Sequence, residues 1–169
     1  MKIVFLDFDG VLNSSSWAMV NNWNLGRADQ AWELDPRCVH LLRTLVETTD
    51  AYIVVTSTWR QWSPSHMQHW FAYYDWYDAP VIGRTLYPLP VENISSRGKL
   101  IQRWLDNTEY SIESYVILDD EFDGMTGMPF VQTDFSGAGL TYNHIDKAAE
   151  ILTGKKHTQW VYPNNSLLI

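Results

Sequence analysis

Three short runs of apolar, largely β-branched residues constrain this chain more than any other feature: Ile3–Leu6, Ala51–Val55 and Tyr115–Leu118. Each is too short for a helix and is expected to be a strand covered on both faces. Between them lie patterns of helical period. Asp35 followed by Pro36 reads as a helix cap with proline at the first helical position, and Val39, Leu42, Leu45 and Val46 then recur at helical spacing. Ser63-Pro64 repeats that signal ahead of Met67, Trp70, Phe71 and Tyr74. Ser95 or Ser96 caps a third helix faced by Leu100, Ile101, Trp104 and Leu105, and a last one, with Ile145, Ala148, Ala149 and Leu152, stops at Gly154. Val81-Ile82 and Phe130–Gln132 read as short extended pieces, and the stretches 17–32 and 79–95 as loops. Strands that alternate with helices in this way predict βαβ units. The expectation is an α/β fold, a Rossmann-like parallel sheet with helices on both faces, with residues 1–169 as one domain and no large cap.

Composition narrows the functional classes. With 46% apolar side chains the chain does not fit disorder, and no apolar run approaches the length of a membrane helix. The N-terminus meets Asp7 too soon for a signal peptide, and the single cysteine, Cys38, rules out an internal disulfide and fits a reducing, cytoplasmic setting. Twenty acidic against twelve basic residues leave a formal charge of −8, which disfavours broad, charge-driven binding of nucleic acid.

The chemistry is concentrated where the strands stop. Asp7, Thr56 and Asp119 each follow a buried run directly, and in an open parallel sheet the carboxyl ends of the strands share one rim, where ligands bind. Asp7, Asp9, Asp119 and Asp120 would crowd that rim. Such a self-repelling cluster calls for a cation, and all-oxygen ligation points to Mg²⁺. Asp7 and Asp9 are two residues apart, so one can attack phosphorus as a nucleophile while the other carries a proton. Gly10 permits a sharp turn after the pair. Thr56, with Ser57 beside it, offers a phosphoryl oxygen a hydroxyl and a backbone N–H, and Lys99 supplies a compact positive charge. Arg97 and Lys99 both lie in the first turn of their helix, where a cation opposes the helix dipole unless an anion is close.

These residues resemble the haloacid-dehalogenase-like (HAD) phosphohydrolases. Phe5-Leu6-Asp7-Phe8-Asp9-Gly10-Val11-Leu12 is similar to the hhhDxDGxh first motif, Val54-Val55-Thr56 to the second, Lys99 to the basic third and Asp119-Asp120 to the acidic fourth, in that order. The resemblance implies Asp7 as nucleophile, Asp9 as general acid/base, Thr56 as phosphate-binding hydroxyl and Lys99 as charge stabiliser. Asp119 or Asp120 would serve Mg²⁺ together with the Asp7 carboxylate and the Asp9 backbone carbonyl. Arg97 competes with Lys99, Ser57 with Thr56, and Asp123 could share the metal role. Val11-Leu12-Asn13, Thr56-Ser57-Thr58-Trp59-Arg60 and Gly139-Leu140-Thr141 look like the small capless HAD domains of RNA-repair and phage proteins.

The implied function is a Mg²⁺-dependent phosphomonoesterase working through an aspartyl-phosphate, its partner a small phosphorylated substrate, expected to be a nucleotide; a polynucleotide 3′-phosphatase is the alternative. A catalytically silent HAD-fold binding module is the reading from another class. Nine tryptophans and nine tyrosines are read mostly as core, with Trp17, Trp23 and Trp59 as candidates for stacking a base. His66 and His69, with no third ligand evident, are expected at the surface, and Cys38 is expected to be inert.

Overall fold

A computed structural model describes residues 1–20, 34–86, 96–156 and 160. Trp23, Trp32 and residues 87–95 of the expected loop lie outside the described residues. Five strands form one parallel sheet: β1 (Lys2–Leu6), β2 (Ala51–Val55), β3 (Val81–Arg84), β4 (Ser114–Asp119) and β5 (Phe130–Gln132), in the order β3-β2-β1-β4-β5. The chain moves outward from β1 through β2 to β3, then returns to lay β4 on the other side of β1. That reversal opens a crevice at the carboxyl ends of β1 and β4. Leu6 pairs in register with Val55 on one side and with Leu118 on the other, so the next residues, Asp7, Thr56 and Asp119, come level at the rim.

The helices are α1 (Ser15–Val20), α2 (Pro36–Thr49), α3 (Pro64–Ala72), α4 (Arg97–Asn107) and α5 (Tyr142–Thr153). Alternation along the strands divides the core in two. Val4, Leu6, Ile53, Val55, Val116 and Leu118 face α2, α3 and α5, whereas Ile3, Phe5, Val54 and Ile117 pack with Ile101 of α4 and Met125. Trp104 of α4 meets the Phe5 ring edge-on, with centroids 5.4 Å apart. Helices thus cover both faces, as the sequence predicts. Among the described residues there is no second sheet and no cap domain, and no helix is long and apolar enough to cross a membrane.

Except at α4, where Ser96 stands at the cap position but makes no side-chain cap bond, the caps carry the expected physics. Asp35 accepts the Arg37 N–H at 2.9 Å and ion-pairs with its guanidinium at 2.6 Å, and Ser63 accepts the His66 N–H at 3.2 Å. Thr141 and His144 form a reciprocal capping box on α5, which Gly154 ends in the left-handed region. Two elements depart from expectation. α1 begins at Ser15 and runs into the stretch from residue 17 read as loop, its entry fixed by the Trp17 N–H donating to Ser14 Oγ at 3.3 Å. A single 3-10 turn, Thr58–Gln61, precedes α3, capped by Ser57 Oγ, which accepts the Trp59 N–H.

Candidate active site

The rim is assembled from four segments. Because Phe5 points to the α4 face, the pleat turns Asp7, two residues on, to the same side. There it is 4% exposed. Arg97, the first residue of α4, reaches across: its Nη1 lies 3.0 Å from Asp7 Oδ2 and donates to Asp119 Oδ2 as well. Asp119 is fully buried and accepts the Glu121 N–H through its other oxygen at 3.0 Å. Asp120 completes the group, and carboxylate oxygens of Asp7, Asp119 and Asp120 all lie within 4.8 Å of one another.

Two glycines allow this convergence. Gly10 has φ +78°, and a Cβ there would sit 2.4 Å from Asp120 Cγ, so it meets both a conformational and a steric demand. Gly98, in the first turn of α4, lies against the loop after β4; a Cβ would fall 2.1 Å from the Gly124 carbonyl oxygen. The same loop caps the helix. Asp123 Oδ2 accepts the Arg97 N–H at 2.7 Å, and the Asp123 carbonyl accepts the Gly98 N–H at 2.9 Å. Asp123 is thereby a cap for α4 rather than a member of the acidic trio. Asp7, Asp119 and Asp123 are the anions that make sense of a cation at a helix N-terminus.

The electrostatics follow from crowding. Burial raises the Asp7 carboxyl above its ordinary value, against the opposing pull of Arg97. Burial, then the Asp7 charge, pushes Asp119 up to about 7 and Asp120 up to about 6. Burial works against the Arg97 charge, but Asp7 and Asp119 together hold it above the ordinary guanidinium value. One guanidinium facing three clustered carboxylates leaves surplus negative charge on an all-oxygen donor set, which fits Mg²⁺.

Asp9 belongs to a different arrangement. Its Oδ1 accepts from Asn13 Nδ2 at 2.9 Å and its Oδ2 from Trp59 Nε1 at 3.0 Å. Asn13 is fully buried, and its own oxygen accepts the Gly10 N–H at 3.2 Å. At the end of β2, the Ser57 side chain pulls the Asp7 carboxyl downward against burial, while Thr56 Oγ1 is buried without a hydrogen-bond partner, an orphan that a ligand oxygen would satisfy. Arg60 Nη1 donates to the Thr56 and Ser57 carbonyls at 2.7 and 3.2 Å and holds this corner.

The family model for the HAD domain in Swiss Army Knife RNA repair proteins matches residues 3–145. The chain belongs to this family. No curated protein and no solved structure matches the chain. In this HAD domain the cation that meets the acids among the described residues is Arg97; Lys99, preferred from the sequence for its compact charge, is exposed in the same first turn of α4 and forms no ion pair with them. Trp59 also needs correction. It is 1% exposed, stacked on Phe8 at 5.1 Å and met edge-on by Trp70 at 5.1 Å, so it offers no open face to a base. Trp17 is partly buried on α1 with the Arg37 guanidinium 6.0 Å above its ring.

Asn13, Arg60 and Gly98 were not singled out by sequence reasoning. Asn13 and Arg60 stood only inside the motif strings, and a glycine in the first turn of a helix, costing ~1 kcal/mol against alanine, was the available signal for Gly98. His66 and His69 are exposed as expected, and Cys38 is buried, its thiol pushed up to about 12 chiefly by burial.

Proposed function

We propose that the chain is a Mg²⁺-dependent phosphomonoesterase that acts on a phosphorylated nucleic-acid end or nucleotide through an aspartyl-phosphate at Asp7. The observation that carries this reading is the pairing of two differently held aspartates: Asp7 buried against Arg97, Asp119 and Asp120, and Asp9 two residues on, fixed by Asn13 and Trp59.

Asp7 attacks phosphorus through a carboxylate oxygen. The new P–O bond forms as the bond to the leaving oxygen breaks, and that oxygen takes the proton held by the Asp9 carboxyl. Asp9, now a carboxylate, accepts a proton from water as the water oxygen attacks phosphorus and the bond to Asp7 breaks. Arg97 offsets the charge of nucleophile and phosphoryl group, and the Thr56 hydroxyl with the backbone beside it holds a phosphoryl oxygen. Asp7, Asp119, Asp120 and the Asp9 carbonyl are the groups that would hold Mg²⁺, which when bound neutralises phosphoryl charge.

For the substrate, the family's RNA-repair description and the rim's lack of a cap domain among the described residues support a strand end bearing a 3′-phosphate. The charge of −8 favours the second reading, a free nucleoside monophosphate. The test is phosphate release by the purified protein, with Mg²⁺ or EDTA, from 3′-phosphorylated RNA oligonucleotides, nucleoside monophosphates and sugar phosphates, with Asp7→Asn as the contamination control. The expected result is Mg²⁺-dependent release that the variant lacks, fastest from the oligonucleotides. A preference for monophosphates selects the second reading, and no release from any substrate rejects both.

A further inference from the structure

Trp59 is the largest side chain at the rim that the mechanism above leaves without a chemical part. Its ring lies between Phe8 at an interplanar angle of 14° and Trp70 at 89°, so packing on two sides fixes where the indole N–H points. That N–H points at Asp9 Oδ2, 3.0 Å away. Its backbone is fixed as well, because Ser57 Oγ accepts the Trp59 N–H at 3.2 Å. The turn after β2 therefore ties Asp9 through Trp59.

We propose that Trp59 is a positioning residue for Asp9: its indole N–H, with the Asn13 amide, sets the direction in which the Asp9 carboxyl offers and receives its proton. The argument is one of donors. An indole N–H donates and never accepts, and Asn13 turns its NH₂ to Asp9 because its oxygen is engaged by the Gly10 N–H. Each Asp9 oxygen thus has one lone pair taken by a donor that cannot accept a proton. The proton that Asp9 carries must sit on a remaining lone pair, directed away from Trp59 and Asn13. Asp9 is only partly buried, and without these two bonds its carboxyl would turn freely. Holding a general acid in line with the leaving oxygen is worth rate, because a misplacement of ~1 Å can cost ~100-fold. This inference rests on the phosphatase reading and deepens it.

Trp59→Phe keeps a ring against Phe8 and Trp70 and removes the N–H. With an alkyl phosphate, whose leaving alkoxide needs a proton, kcat/KM should fall by about 10- to 100-fold. With p-nitrophenyl phosphate, whose leaving group departs without one, the fall in kcat/KM should be less than about threefold, because kcat/KM reports the steps up to leaving-group departure and not the Asp9-assisted hydrolysis that both substrates share. The double variant with Asp9→Asn should be no slower than Asp9→Asn alone. Equal losses on both substrates, or none on either, would overturn the proposal, because loss of folded protein lowers both alike. A second measurement avoids the Trp59 variant: the indole ¹H–¹⁵N resonance of Trp59 in the intact protein should shift on Asp9→Asn, and a resonance that stays in place overturns the proposal. If the wild type releases no phosphate at all, the phosphatase reading fails by itself and the resonance alone decides whether Trp59 holds Asp9.

Discussion

Asp7 and Asp9 share one side-chain chemistry and one tripeptide, yet the fold gives them opposite surroundings. Asp7 is packed among like charges, with Arg97 set against itself, Asp119 and Asp120, and burial holds its carboxyl above the ordinary value. Asp9 stands outside that trio, its charge adding to the rise at Asp7, and accepts one N–H on each oxygen. The difference teaches how a two-residue spacing can separate roles. Burial and crowding leave Asp7 with one guanidinium that it shares with Asp119, a state that the proposed bond to phosphorus or a bound metal ion would relieve. Two fixed donors leave Asp9 oriented, a state suited to handing a proton in one direction.

Replacing each aspartate should break the comparison most sharply. Asp7→Asn should abolish phosphate release, by about 10⁴-fold or more, and raise the melting temperature of the metal-free protein by removing one of three clustered charges. Asp9→Asn should slow turnover by about 10²- to 10⁴-fold with no such gain in stability. A melting temperature that rises equally in both variants would mean that the two sites are not electrostatically distinct. Arg97→Ala comes next. It strips the cation from two buried carboxylates, and it should cost about 3–5 kcal/mol as well as most of the activity, seen in denaturant unfolding and phosphate release. Lys99→Ala should stay within about 0.5 kcal/mol and leave turnover unchanged, and the reverse pattern would reinstate Lys99.

Much of this arrangement is legible in the sequence, for reasons that are local. Ile3–Leu6, Ala51–Val55 and Tyr115–Leu118 announce themselves as strands because burial on both faces needs an unbroken apolar run, and Asp35-Pro36 and Ser63-Pro64 fix two helix starts within the chain. The gathering of Asp7, Thr56 and Asp119 then follows from parallel pairing alone. What is hidden depends on approach between distant segments. Arg97 prevails over Lys99 because Gly98 lets α4 dock against Gly124, a contact 26 residues away in sequence that no helical spacing reveals. Trp59 is hidden for another reason. An aromatic next to a phosphate motif suits stacking a base and filling a core equally well, and only the packing of Phe8 and Trp70 decides for the core.

Gly10 lies on the seam between the two environments, so it tests whether they are structurally coupled. Its N–H goes to Asn13 on the Asp9 side, and its α-carbon abuts Asp120 on the Asp7 side. Gly10→Ala should destabilise by about 1–3 kcal/mol, combining the left-handed backbone cost with displacement of Asp120. It should weaken Mg²⁺ binding, read by titration calorimetry, and slow turnover together. A variant that loses stability with Mg²⁺ affinity unchanged would show that Asp120 yields without disturbing the trio.

The smallest effect sharpens the electrostatic half of the comparison. Asp119 at about 7 and Asp120 at about 6 lie above the ordinary carboxyl value of 3.8, so between those values the folded protein holds protons that the unfolded chain has released. Stability from this source is fully present below pH 3.8 and is lost as pH rises to about 7, above which the loss is complete. Metal-free protein should therefore melt a few degrees lower at pH 8 than at pH 5, and Asp120→Asn should flatten that slope. Mg²⁺ should restore the difference chiefly at pH 8, where the acids are ionised and free to take it, and little at pH 5, where protons compete for the same oxygens. Equal slopes in wild type and Asp120→Asn, measured by scanning calorimetry with EDTA, would mean that the crowding around Asp7 is relieved by movement of the rim rather than by protonation.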